Sequence, residues 1–213
     1  MPLLEVRKIN THTYMGFWQL TESLATLQQQ LAELVGNQLQ IPDYPNSLRL
    51  SQWLGSRVLA YMLLQKFTAL PLPLRNNAQG KPEFEQNAIY ISISHSQNLA
   101  AVIISERFKV GIDIENISPK VMRVRDKFMA AAEKTDAGED LEKTLIYWST
   151  KETLYKLYSK KQLLFKEHLL VKPFPASAAG TLEAQIQAPD LKKTYCIYYE
   201  KFKNHILTYC IDD

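Results

Sequence analysis

The chain has 213 residues, 46% hydrophobic and 22% charged, enough to bury one large core or two smaller ones. Its longest unbroken apolar run, residues 58–64, falls far short of the roughly 20 residues that a membrane-spanning helix needs. A net charge of +3 from 25 basic and 22 acidic residues is too dilute for a nucleic-acid-binding face, but suits an acidic protein partner or a phosphorylated ligand.

The first eight residues have neither the apolar core nor the small-residue cleavage site of a signal peptide, which predicts a cytoplasmic protein. Residues 3–13 read as one mixed apolar strand. Thr21 then opens a helix with Leu24, Leu27, Leu31 and Leu34 on one side and Gly36 as its stop. After the turn-rich stretch 41–46, Ser47 caps a second helix to about Lys66, with a core stripe of Leu50, Trp53, Leu54, Val58, Tyr61 and Met62. Arg49 and Arg57 lie about two turns apart on a roughly common face of it, spaced either to grip a phosphate monoester or simply to solvate the helix. Pro71, Pro73, Gly80 and Pro82 predict an exposed loop over residues 70–82 without regular structure, in which Lys81 is a candidate ligand contact. Residues 89–94 alternate as a strand with isoleucines inward and Ser92 and Ser94 outward. His95 stands at its end, either as a structural residue or as a donor to phosphate. Residues 100–105 and 110–115, joined by a short polar connection, read as a hairpin whose strands pair.

The second of those strands carries the first chemical signal. Val110, Ile112 and Ile114 fall on one face; Gly111, Asp113 and Glu115 fall on the other, with the two carboxylates about 7 Å apart along the strand. Gly111 leaves room beside them for a ligand. Residues 121–133 read as a helix broken over 134–138, and a long helix follows from Glu139 to near Ser159. On it Trp148, Glu152 and Tyr155 recur at i, i+4, i+7, and Lys156 follows Glu152 by one turn. Trp148 and Tyr155 read as packing residues. Lys156, Lys160 and Lys161 make the helix end basic, which favours the helix dipole and could face an acidic partner. Taken singly, Asp-x-Glu on a strand is commonly a solvated face and Glu152–Lys156 a surface ion pair. Taken together, three carboxylates and a lysine suit Mg²⁺, which prefers oxygen ligands and shares them with substrate phosphates. Residues 169–171, 181–187, 194–200 and 206–211 complete the chain as strands. Cys196 and Cys210 lack any ligand spacing and read as small core residues.

Four blocks occur in order: Gly80-Lys81-Pro82, Ser94-His95-Ser96, Gly111-Ile112-Asp113-Ile114-Glu115 and Trp148-Ser149-Thr150-Lys151-Glu152, the last followed by Lys156. This pattern resembles the signature of the 4′-phosphopantetheinyl transferase superfamily, closer to its longer, monomeric, surfactin-synthetase-activating type than to the short trimeric holo-acyl-carrier-protein synthases. The resemblance covers roughly residues 80–171. Thr153 departs from the Ala or Ser commoner at that place, and Ser159-Lys160-Lys161 lacks the glycine that often follows the last signature lysine.

The resemblance implies an α+β fold of two similar α/β halves, residues 1–108 and 109–213, in pseudo-twofold arrangement with the active site in the cleft between them. It implies Mg²⁺-dependent transfer of the 4′-phosphopantetheine arm from coenzyme A to a serine of an apo acyl or peptidyl carrier protein. A catalytically silent homologue that binds coenzyme A or a carrier protein is the alternative. By position, Asp113, Glu115 and Glu152 surround the metal, Lys156 and His95 face the pyrophosphate and 3′-phosphate, and Lys81 and Ser94 hold the nucleotide. Glu152 is also the nearest base for the serine hydroxyl, with Lys156 beside it. Arg49 and Arg57 are candidates for the 3′-phosphate. A monomer binding neither nucleic acid nor membrane is expected.

Overall fold

The computed structural model describes residues 2–36, 41–85, 89–160 and 163–213; Lys161 lies outside them. The chain divides into two compact units, Met1–Val110 and Gly111–Asp213, each mixing helices with β-sheet. The fold is α+β.

In the first unit, β1 (Leu3–Asn10) and β2 (Thr13–Gln19) form a hairpin. Residues 3–13 are therefore not one strand. The Asn10 side chain accepts the His12 backbone N–H at 2.8 Å and turns the chain there. Helix α1 (Leu24–Val35) is capped by Ser23 and ends at Gly36, whose φ of 67° suits a residue without a Cβ. Helix α2 (Ser47–Leu64) is capped by Asn46, not Ser47, because the Asn46 side chain accepts from Arg49 N at 3.1 Å. Leu54, Val58 and Leu59 bury against Leu27 and Leu31 of α1 and against the sheet, whereas Leu50, Trp53 and Met62 are only partly buried.

The stretch expected to be an irregular loop contains a small hairpin, β3 (Leu74–Asn76) with β4 (Pro82–Phe84). Asn77 closes its turn, its side chain accepting from Gln79 N and Lys81 N at 3.0 Å each, while Gly80 takes φ 86°. Pro82 starts its strand, where a missing N–H is tolerated. Strands β5 (Tyr90–Ser96) and β6 (Leu99–Ser105) complete a sheet of order β1-β2-β6-β5. Ser92 and Ser94, expected to face outward, are 2% and 6% exposed, and Ile93 is only partly buried, so β5 is covered on both faces.

Strand β7 (Lys109–Asn116) does not pair with β6. The flanks of β6 are taken by β2 and β5, and β7 lies beside β11 (His205–Asp212) at the end of a five-stranded sheet. The connection is fastened to the first unit: Ser105 Oγ accepts from Arg107 N and Phe108 N, and Glu106 N donates to His12 O.

The rest of the second unit comprises α3 (Lys120–Phe128), α4 (Ala131–Ala137), α5 (Leu141–Tyr158), α6 (Phe165–His168), β8 (Leu169–Val171), β9 (Ala179–Ala188) and β10 (Leu191–Phe202). The sheet order is β7-β11-β10-β9-β8. The helical stretch breaks first at Met129–Ala130, where the Glu133 carboxylate turns back to accept Ala130 N at 2.8 Å and starts α4; of the break expected over 134–138 only Gly138 takes part, ending α4 at φ 55°. Helix α5 begins at a cap by Asp140, and Ser159 takes the left-handed φ of 63° that a glycine commonly fills. The Ser159 hydroxyl donates toward the carbonyls of Lys156 and Leu157, giving this residue a local reason for its place. Cys210 is buried, whereas Cys196 is exposed and is no core residue. Among the described residues no helix is long and apolar enough to cross a membrane.

Candidate active site

Helix α5 is nearly submerged. From Thr144 to Leu157 every residue is buried except Trp148, Glu152, Tyr155 and Lys156, which share one stripe at i, i+4, i+7, i+8. That stripe is the part of the helix left for chemistry.

Strand β7 supplies the opposing carboxylates. Asp113 is 3% exposed, and both its oxygens are engaged: Oδ2 accepts from Ser149 Oγ at 2.8 Å, Oδ1 from Lys156 Nζ at 2.7 Å. Lys156 Nζ also donates to the Ile112 carbonyl at 3.0 Å, so the lysine grips strand and carboxylate together. Ser149 and Lys156 are seven residues apart, two turns of α5, a spacing visible in the sequence although the sequence alone assigns Ser149 no role. Trp148 does more than pack. Its indole N–H donates to Glu115 Oε1 at 2.9 Å while the ring stacks on Phe165 and meets the edge of Phe128.

These carboxylates act on one another. Burial pushes Glu152 up to about 7; Asp113 and Glu115 add to the rise and Lys156 opposes it. Glu115 is raised chiefly by burial and then by Asp113, against the Trp148 hydrogen bond and Lys156. The structure thus brings Asp113, Glu115, Glu152 and Lys156 into one electrostatic cluster, with three carboxylates against one ammonium. Oxygen donors with excess negative charge fit a hard divalent cation. Among the described residues no three such groups already stand in a metal-holding arrangement, each of Asp113 and Glu115 being tied to its own partner.

Gly111 is not an opening for ligand. A Cβ there would stand 2.5 Å from the Thr153 carbonyl oxygen, so the glycine exists to let α5 lie close on β7. Lys151, one residue before Glu152, is 0% exposed and donates to Phe128 O, Glu133 Oε2 and Phe165 O at 2.6, 2.7 and 3.0 Å. Glu133 Oε1 in turn accepts Val171 N at 2.9 Å. This buried pair ties α5 to α4, α6 and β8. Thr153 and Thr208, for which no sequence motif spoke, tie α5 to β11 through hydroxyls 2.7 Å apart.

In the first unit, Lys81 and Tyr90 line a cavity of about 260 Å³, and burial lowers the Lys81 ammonium from its usual value while Glu83 opposes the shift. Ser94 is buried and His95 exposed, both near the end of β5. A larger cavity of about 720 Å³ is lined by Tyr44, Trp53, Arg57, Tyr61, Arg75 and Asn76, among others, and shares none of its lining residues with the first. Arg57 lies over the Trp53 ring at 3.9 Å and donates to Asn76 Oδ1 at 3.3 Å; burial lowers it to about 10, still a cation at neutral pH. Arg49 is exposed and lies over Tyr44 at 5.0 Å. Arg49 and Arg57 therefore differ in burial, and Tyr44, a wall of the larger cavity, lies beneath the first.

A family model described as the 4′-phosphopantetheinyl transferase superfamily matches residues 109–210, and one described as the 4′-phosphopantetheinyl transferase N-terminal domain matches residues 40–105. The chain belongs to the 4′-phosphopantetheinyl transferase superfamily. It is similar to the 4′-phosphopantetheinyl transferase AcpT of Salmonella typhimurium, 36% identical over 88 residues that make up 38% of this chain and 43% of that protein. It is also similar to the AcpT of Escherichia coli O157:H7, 29% identical over 126 residues, 58% of this chain and 60% of that protein. The chain thus spans about half the length of the curated relatives it matches.

Proposed function

We propose that this protein transfers the 4′-phosphopantetheine arm of coenzyme A to a serine of an apo acyl or peptidyl carrier protein, acting as a monomer of the longer type in the cytoplasm. The observation that carries the reading is the cluster of Asp113, Glu115 and Glu152 around Lys156, with Glu152 held near 7 by burial and by its neighbours. The transferases named among the relatives support the same chemistry.

The serine hydroxyl attacks the phosphorus that carries the pantetheine arm. The new P–O bond forms as the bond to the 3′,5′-bisphosphate leaving group breaks, and the serine proton must go to a base. Glu152 is the candidate for that role, a carboxylate whose hold on a proton is strengthened by burial and by Asp113. Lys156, fixed by Asp113 and the Ile112 carbonyl, presents positive charge toward the diphosphate. Trp148 keeps the Glu115 carboxylate in one orientation. Mg²⁺, which Asp113, Glu115 and Glu152 would hold, would neutralise the charge that builds on the diphosphate oxygens as the bisphosphate leaves. Lys81, Ser94 and His95 hold the nucleotide and its phosphates. Arg57, with Arg49 beyond Tyr44, receives the 3′-phosphate, a role supported by a buried cation at a cavity wall.

The test is mass spectrometry of an apo acyl carrier protein and an apo peptidyl carrier domain after incubation with this protein, coenzyme A and Mg²⁺. A gain of one phosphopantetheine, lost with Asp113→Ala, with Glu152→Ala or with chelator, is the expected result. Coenzyme A binding without any gain on either carrier would refute transfer to these clients and mark a silent homologue.

A further inference from the structure

We infer that Thr153 and Thr208 are positioning residues for the Asp113 carboxylate, acting through the hydroxyl of Ser149; the inference rests on the role proposed above for Asp113. Ser149, Thr153 and Thr208 are each 0% exposed, so no solvent competes for their hydrogen bonds. Each hydroxyl carries one proton to give. Ser149 Oγ stands 2.8 Å from Asp113 Oδ2, which as a carboxylate only accepts, so the Ser149 proton is spent there. Thr208 Oγ1 stands 2.9 Å from the Ser149 carbonyl, which also only accepts, so the Thr208 proton is spent in turn. Thr153 Oγ1 lies 2.7 Å from Thr208 Oγ1 and 3.3 Å from the Thr208 carbonyl oxygen; with the Thr208 proton committed it is Thr153 that donates, the shorter contact being to the hydroxyl.

The consequence concerns placement. Ser149 Oγ also lies 2.9 Å from Thr208 Oγ1. The Thr208 oxygen keeps a second lone pair while Thr153 donates to it, and the charged Asp113 carboxylate is the stronger acceptor for Ser149. Thr153 and Thr208 therefore act by holding the group beside Ser149 in place. Removing the Thr153 hydroxyl unties Thr208 Oγ1 from its place beside Ser149 Oγ and loosens the hydroxyl that donates to Asp113 Oδ2. In a buried network the whole arrangement depends on each member being satisfied.

Magnesium binding by the folded protein, measured calorimetrically with thermal unfolding followed in parallel, tests this in Thr153→Val, Thr153→Ser, Thr208→Val and Asp113→Asn. Thr153→Val and Thr208→Val should weaken Mg²⁺ by about tenfold, as loss of a hydrogen bond that orients a metal ligand commonly does. Thr153→Ser, which keeps the hydroxyl, should bind like the parent. Thr153→Ala replaces Thr153→Val if the latter does not fold. Parent-like binding by Thr153→Val beside weakened binding by Asp113→Asn would overturn the positioning role and leave the transferase reading standing. Equal losses in Thr153→Ser and Thr153→Val would also overturn it, since packing alone would then explain them. Identical binding by the parent and Asp113→Asn would remove both.

Discussion

The backbone of Gly111 approaches helix α5 so closely that a Cβ would stand 2.5 Å from the carbonyl oxygen of Thr153 and 3.4 Å from Leu157 Cβ. Neither obstacle is the far end of a flexible side chain, so Gly111→Ala must push β7 and α5 apart. The expected cost is about 1–3 kcal/mol of stability, read as a fall of several degrees in Tm. Because Asp113 lies two residues along β7 and Lys156 on α5, the same displacement should stretch the 2.7 Å pair between them and reduce transfer more than a surface substitution of equal Tm cost. An unchanged Tm would show that the two elements can separate freely.

Lys151 stabilises the fold rather than performing the chemistry. Lys151→Met leaves the Glu133 carboxylate buried without its cation, which should cost about 3–5 kcal/mol in denaturant unfolding. Adding Glu133→Gln removes the uncompensated charge, so the double variant should be more stable than Lys151→Met alone. Simple additivity of the two losses would contradict the ion pair as the source.

Much of this site is readable in the sequence because its information is local. The stripe of Trp148, Glu152, Tyr155 and Lys156 follows from helical period, and the pairing of Asp113 with Glu115 on one strand face from alternation. Gly111 misleads because a strand glycine looks the same in sequence whether it faces a ligand or a helix backbone. The β6–β7 connection misleads for a related reason: four residues between two apolar runs suit a hairpin, but the partner that β7 takes is β11, some ninety residues further along. Thr208 is 59 residues from Ser149, and nothing near it in the chain announces a polar contact. The hairpin of β3 and β4 was hidden by prolines that sit where a strand can begin without an N–H.

The two cysteines should separate cleanly under alkylation. Burial pushes the Cys210 thiol up to about 12, and the residue is 0% exposed, while Cys196 is exposed with its thiol raised to a lesser degree. Native protein at pH 8 should take up one label, slowly, at Cys196, and a second only when unfolded. Labelling of both under native conditions would contradict the burial of β11.

Glu152 sets a pH signature. Its folded value near 7 lies above the ordinary 4.5, so the folded state binds the proton more tightly than the unfolded chain does. Stability from this group is therefore fully present below about 4.5 and is lost as pH rises to about 7. Glu152→Gln should flatten part of that decline, leaving the share due to Glu115, which is raised for the same reasons. Added Mg²⁺ at pH 7 should release protons, seen as a binding heat that changes with buffer ionisation enthalpy. A buffer-independent heat would remove Glu152 from the cation's surroundings.

Arg57 offers the sharpest division between a ligand contact and a structural cation. It remains charged at neutral pH, lies 3.9 Å over Trp53, and has no carboxylate partner among the described residues to neutralise it. If it receives the 3′-phosphate, Arg57→Ala should weaken coenzyme A about tenfold or more, the usual value of a charge-assisted contact. Coenzyme A lacking its 3′-phosphate should then bind parent and variant alike, because the group that distinguishes them is absent from the ligand. Direct titration of both ligands against both proteins supplies the four affinities. If the variant loses affinity equally for both ligands, Arg57 shapes the cavity through Trp53 and Asn76 without touching the phosphate. If coenzyme A binds the variant as it binds the parent, the 3′-phosphate is held elsewhere.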